Sequence, residues 1–266
     1  MGKLIVKPND IIDINRLLKT STKVDGIIFP VTNFSVSTKF HMNVDDINEL
    51  ITKKEKIVLL NKIIHNSDLL LLEEVLRKIK KGDISKIIFY DMAVYTLAKK
   101  VGVVDKLIIG QDHMNRSIES NKFYNKLGIK YSYITSDITR EEIEEIKLNT
   151  NMQLFYRVYG RMPLFCSRRY LLSNYFKYIN KEKKSNCYMM KNGDKLLKIE
   201  QEKYATTIYS DVVDLSNKIN ELDFIDYFVI EIDNDVNVID KFINKEFDGK
   251  EHCLGFYDTK TIFKVK

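Results

Sequence analysis

A (β/α)8 barrel of the TIM type, with an inserted segment after the seventh strand, is the fold this sequence predicts, on three observations. Eight short apolar, β-rich runs recur along the 266 residues. Helical patterns stand between them. The runs are apolar throughout rather than alternating, as strands of a parallel sheet buried on both faces are. Eight βα units in about 250 residues is the arithmetic of the barrel. A doubly wound open sheet is the main rival, but neither GxGxxG nor a GKS/GKT loop occurs to support it.

The runs follow in order: Leu4 to Val6, Gly26 to Phe29, Lys56 to Leu60, Lys86 to Tyr90, Lys106 to Gly110, Tyr131 to Thr135, Met152 to Tyr159 and Asp226 to Ile232. Between the third and fourth, SDLLLLEEVLRKIKKG places Leu69, Leu72, Val75, Leu76 and Ile79 on one helical face. After the sixth, TREEIEEIKLNT opens with Thr139 three residues before Glu142, the spacing of a capping box. Residues 161–210 break this rhythm and are too long for a simple βα loop. They read as an inserted basic and aromatic subdomain over one end of a single barrel domain.

Composition excludes several classes. At 44% hydrophobic and 30% charged the chain folds around a sizeable core. Ten glycines and three prolines are too few for a collagen-like or many-turned all-β chain. No segment approaches the roughly 18 apolar residues of a membrane span, so a cytoplasmic protein with no membrane partner is expected. Cys166, Cys187 and Cys253 form no CxxC and no disulfide framework.

Barrel enzymes build their sites at the C-terminal ends of the strands. The residues there are polar: Asn61 after the third run, Asp91 after the fourth, Gln111, Asp112 and His113 after the fifth, Ser136 and Asp137 after the sixth, Arg161 after the seventh, and Glu231 and Asp233 at the end of the eighth. Solvated loops also end in polar residues, and the ring carries more information than any member.

The net charge of +6 is concentrated. Arg157, Arg161, Arg168, Arg169, Lys177, Lys181, Lys183 and Lys184 stand against Glu182 alone, leaving the rest of the chain slightly acidic. Tyr159, Phe165, Tyr170, Tyr175, Phe176 and Tyr178 are interleaved with them. Cations that neutralise phosphates beside rings that stack on unpaired bases are the equipment of RNA binding. An ordinary subdomain core with a solvated basic rim has the same pattern.

Catalytic groupings are sparse: neither HExxH nor GxSxG is present, and His41, His65, His113 and His252 are scattered. Cys166 is a candidate nucleophile whose pKa Arg168 and Arg169 would depress. His252 and Cys253 could join the other cysteines on zinc, although structural zinc ligands usually come in close pairs.

The segments NFSVSTKFHMNVDDINEL, VLLNKIIHNSDL, IIGQDHMNRSIESNKFYNKLGIKYSYIT, IYSDVVDLSNKINEL, CLGFYDTK and, most densely, YGRMPLFCSRRYLLSNYF resemble stretches of one known family, the collagenase-like peptidases of unassigned mechanism. That family includes proteins required for hydroxylation of transfer RNA, ribosomal RNA and the ubiquinone ring. The resemblance implies a barrel, peptidase ancestry and an iron–sulfur cluster held by cysteines. Where the family's signature has two cysteines this chain has Pro163 and Tyr170, and Cys166 stands where an aromatic is usual. Tyr159 replaces the family's histidine, Phe155 an acidic residue, and Ser136-Asp137 an Arg-Glu pair. Asn61, Asp91, Gln111, Asn115, Gly160, Ser167 and Arg169 remain in register.

These residues can bind, but they lack the base, metal or activated nucleophile that peptide cleavage needs. The sequence therefore predicts a divergent member without a cofactor, binding RNA or an RNA-modification partner through Asn61, Asp91, Gln111, His113, Asn115, Arg161, Arg168 and Arg169. Three alternatives stand beside it. One is an active peptidase using Cys166 or Ser167. Another is an iron–sulfur-dependent hydroxylation protein with Cys166, Cys187 and Cys253 as ligands. The third is a subunit that pairs with a longer homologue.

Overall fold

The computed structural model describes residues 2–19, 23–112, 114–193, 195–233, 237–244, 246 and 253–259. Eight parallel strands close into a barrel: β1 (Lys3–Lys7), β2 (Gly26–Pro30), β3 (Glu55–Leu60), β4 (Lys86–Phe89), β5 (Leu107–Gly110), β6 (Tyr131–Ile134), β7 (Gln153–Ser167) and β11 (Tyr227–Glu231). Closure is made by β11, which pairs with β1 on one side and β7 on the other. The fold and all eight predicted strands are thus present. Six helices make the crossovers: α1 (Ile11–Lys19), α2 (Val44–Glu49), α3 (Leu69–Lys81), α4 (Met92–Val101), α5 (Ile118–Lys126) and α6 (Arg140–Asn149). α8 (Val238–Asn244) follows β11. Among the described residues no helix is long and apolar enough to cross a membrane.

The period-2 geometry of a strand divides the apolar runs between two cores. Ile5, Ile28, Ile57, Leu59, Ile88, Ile108, Phe155 and Val229 fill the barrel, where Phe155 and Tyr227 stack with centroids 4.0 Å apart. Their neighbours Val6, Phe29, Val58, Phe89, Ile109 and Phe228 point outward to meet the helices. Helix ends follow the sequence. Leu72, Leu76 and Ile79 are the buried face of α3, Thr139 and Glu142 form the capping box of α6, and Gly102 closes α4 in the left-handed conformation.

The segment 161–210 is continuous with the barrel rather than set beside it. β7 is a single 15-residue strand whose first half belongs to the barrel. Its second half starts an antiparallel sheet with β10 (Thr206–Asp214), β9 (Lys195–Gln201) and β8 (Cys187–Asn192). The strand leaves the barrel at Gly160, where φ is +126° and a Cβ would meet Glu231 Cβ at 2.8 Å. Only glycine allows that turn and that approach. The antiparallel sheet roofs the barrel mouth, and α7 (Leu171–Tyr178) packs on its far side. There Leu171 N donates to Thr206 Oγ1 (3.1 Å) and Ser173 N to Gln201 Oε1 (3.0 Å).

Candidate functional site

The mouth has a floor of buried charges, each delivered by the end of a strand. Arg157, on the inward side of β7, donates through Nε and Nη2 to Glu231 Oε1 (3.1 and 2.9 Å). Its Nη2 also lies 4.0 Å from Asp112 Oδ1. Glu231 accepts from Lys7 Nζ (3.2 Å) and from the Tyr133 hydroxyl (3.1 Å), and Asp112 accepts from the Tyr90 hydroxyl (2.8 Å). Burial alone would raise the Glu231 pKa, but Arg157 and Lys7 overcome it and hold the carboxyl at about 2. Asp112 is raised, since burial there outweighs Arg157 and Tyr90. Burial likewise opposes the charge of Arg157, yet Glu231, Tyr133 and Asp112 push its pKa above the ordinary value.

Above this floor, roof and barrel meet in a second cluster. Ser37, in the β2–α2 loop with φ +58°, places Oγ 2.8 Å from Thr207 Oγ1 on β10 and 4.0 Å from Cys166 Sγ on β7. Glu202, at the β9–β10 turn, accepts from Thr38 N with both oxygens (3.0 and 3.1 Å). Tyr204 donates to Asn33 Oδ1 (2.9 Å) and stands edge-on to His41, whose ring centroid is 5.3 Å away. The roof is therefore clasped to the β2–α2 loop by its own hairpin turn.

Several residues of the predicted ring serve the loops that form the mouth. Asn61 accepts from Val36 N (2.8 Å) and donates to Val36 O (3.0 Å), which fixes the β2–α2 loop. Asp91 caps α4 at Ala93 N and holds Ile64 N. Gln111 donates to Tyr90 O, and Asn115 is fully buried against Ser132, Tyr133 and Asn121. Arg161 lines a cleft under the roof, tied to Asp233 Oδ2 (2.8 Å) and Ser210 O (2.9 Å). Arg168 and Arg169 are exposed at the roof edge, Arg168 reaching Ile63 O (3.3 Å). His113 and His252 lie outside the described residues.

Two expectations about cysteine are corrected. The Cys166 pKa is raised rather than depressed, because burial of its sulfur dominates and its polar neighbours are the hydroxyls of Thr207 and Ser37, not the guanidinium groups. Nor does the chain bring its three cysteines together. Cys166 pairs with Thr207, Thr207 with Glu200, and Glu200 with Cys187. The two thiols therefore share one rung at opposite edges of the roof, three strand spacings or roughly 14 Å apart. Cys253 bridges Val213, near the other end of β10. A cluster needs about four thiolates converging on one point, and these do not fit it. Among the described residues no group of three or more His, Cys, Asp or Glu could hold a metal ion.

Sequence reasoning missed Lys7, Tyr90, Tyr133, Ser37 and Glu202, and it counted Arg157 with the basic segment. Arg157 had a signal. It lies two residues after Phe155 in an otherwise apolar strand, so it must face the interior and must find an acid there.

Comparison with known proteins gives matches of three kinds. The model of peptidase family U32 matches residues 18–222. A tRNA hydroxylation protein P2 from Bacillus subtilis (strain 168) is 27% identical over 124 residues, which are 47% of this chain and 40% of that protein. The structure of the U32 peptidase Mk0906 superposes with a TM-score of 0.56 at 12% identity, covering 88% of this chain and 94% of that one, a likeness of fold.

Proposed function

The chain belongs to peptidase family U32, and on that premise we propose that it is an RNA-binding member whose roof holds single-stranded RNA. One observation carries the reading. Phe165, Tyr170, Tyr175 and Tyr178 are 49, 50, 56 and 85% exposed, and the exposed cations Arg168, Arg169, Lys177, Lys181 and Lys184 are threaded among them. Rings this exposed do little for a core, whereas each can stack on a base for about 1–3 kcal/mol. Tyr159 and Phe176 do pack, against the core and Tyr188 respectively, whereas the exposed rings keep open surface even where Tyr175 stands edge-on to Phe176 and Tyr170 donates to Lys203 O. Arg157 and Arg161 are held in ion pairs and leave phosphate contact to the outer cations.

Support also comes from the two candidate nucleophiles. Cys166 remains a thiol, and the Ser167 hydroxyl accepts from the backbone N–H of Arg169. Among the described residues neither is paired with a base, which favours holding over hydrolysis. The RNA hydroxylation named for the B. subtilis relative agrees with an RNA ligand.

Fluorescence anisotropy with a labelled single-stranded RNA tests the proposal. Log affinity is expected to fall with log salt at about 0.7 per phosphate neutralised. Charge reversal of Arg168, Arg169, Lys183 and Lys184 flattens that slope. Tyr175→Ala with Tyr178→Ala weakens binding at least tenfold without changing the slope. Binding that is absent, or insensitive to salt, contradicts the proposal.

A further inference from the structure

Between the roof and the floor lies a cleft of about 320 Å3, which the outer RNA face does not use. That volume is the size of a small-molecule pocket. Its walls carry five cations, Lys7, Lys39, Arg161, Lys198 and Lys203, against four carboxylates, Glu200, Glu202, Glu231 and Asp233. Three of the carboxylates are matched by cations: Glu231 by Arg157 and Lys7, Asp233 by Arg161 and Lys198, and Glu200 by Lys198.

Glu202 differs. Its hydrogen bonds come from the backbone N–H groups of Thr38 and Ser37, and burial outweighs them to bring its pKa to about 7. The titratable groups facing it come from every element around it. Lys7 on β1 favours its charged form, and Glu200 on β9 opposes it. Tyr209 on β10 and Cys166 on β7 lie within reach of its field. His41, on the loop that Glu202 clasps, is held toward its neutral form by burial. Lys203 lies over the Tyr204 ring.

We propose that the cleft binds a small oxyanion ligand, through a carboxylate or phosphate group, and that Glu202 takes up a proton as the ligand enters. With Glu202 protonated, the cleft presents five cations to three remaining carboxylates. An anion arriving beside Glu202 disfavours its charge further, so proton and anion enter together. Linkage then makes acidification strengthen binding, about tenfold for each pKa unit by which the ligand raises Glu202.

The test is calorimetric titration of the full chain with sodium sulfate, a dianion throughout the range, at constant ionic strength and pH 6, 7 and 8. Saturable binding is expected, about fivefold tighter at pH 6 than at pH 8 for a one-unit rise from a free pKa of about 7. The heat at pH 7.5 should vary with the buffer's ionisation enthalpy as a proton is taken up. Glu202→Gln should retain sulfate, bind it more tightly at pH 8 and lose both signatures. Lys203→Ala should weaken binding, whereas Lys99→Glu, on α4 outside the barrel, should leave it unchanged. Acetate and methyl phosphate in separate arms distinguish a carboxylate site from a phosphate site. The proposal is overturned if none of the three anions binds saturably at pH 6, or if the pH dependence survives in Glu202→Gln.

Discussion

Glu231 and Glu202 are carboxylates of the same mouth, one in the floor and one in the clasp, and they lie on opposite sides of the ordinary glutamate pKa. Burial works against the charge of both. In the floor, Arg157 and Lys7 are within 2.9 and 3.2 Å of the Glu231 oxygens, and its pKa stands at about 2. In the clasp, two backbone N–H groups and a more distant Lys7 do not offset burial, and Glu202 stands at about 7. Strand ends hold Glu231 in a fixed, fully paired site, whereas a hairpin turn and a loop hold Glu202 where one proton changes the local charge. Strand-borne floor and loop-borne clasp therefore suit different tasks: the first fixes the mouth, and the second can respond to what enters it.

The largest way to break this comparison is to remove the floor's cation. Arg157→Met leaves Glu231 and Asp112 buried without their partner and should cost about 3–5 kcal/mol, read from urea unfolding. Next is Gly160→Ala, which puts a Cβ against Glu231 in a backbone conformation that suits glycine. A loss on the order of 1–3 kcal/mol is expected, together with looser roof packing seen as faster amide exchange along β10.

Acidity separates the two carboxylates by sign. The folded pKa of Glu231 is depressed, so its stabilisation is present above about pH 4.5 and lost as pH falls toward 2. The folded pKa of Glu202 is raised, so its contribution is fully present below about pH 4.5 and lost as pH rises through 7. Glu202→Gln should therefore be the more stable protein at pH 8, by about 1–3 kcal/mol, with a flatter stability profile between pH 5 and 7. The smallest effect belongs to the clasp's neutral contact. Tyr204→Phe loses the bond to Asn33 and should cost about 1 kcal/mol while leaving the floor's titration unchanged.

The fold was legible because eight apolar runs at βα spacing leave few architectures open. The closure of β11 on β7 follows from the same count. Part of the floor was legible too, since Asp112 and Glu231 sit where a barrel puts its chemistry. Lys7 and Tyr90 end their strands as well, but a lysine or tyrosine at a strand end resembles any surface residue until its partners are known. The clasp could not be read. Ser37, Thr207 and Glu202 are up to 170 residues apart, and they meet because Gly160 lets one strand belong to two sheets. The basic segment was visible as charge, but only the folded chain separates its ion-paired members, Arg157 and Arg161, from its exposed ones.

The contrast between floor and clasp is tested most directly by a carbon-13 titration of the glutamate side-chain carboxyls from pH 4 to 9. One resonance should titrate near pH 7 and vanish in Glu202→Gln, while the Glu231 resonance stays at its ionised position throughout. A spectrum in which both titrate together near the ordinary glutamate value would contradict the account.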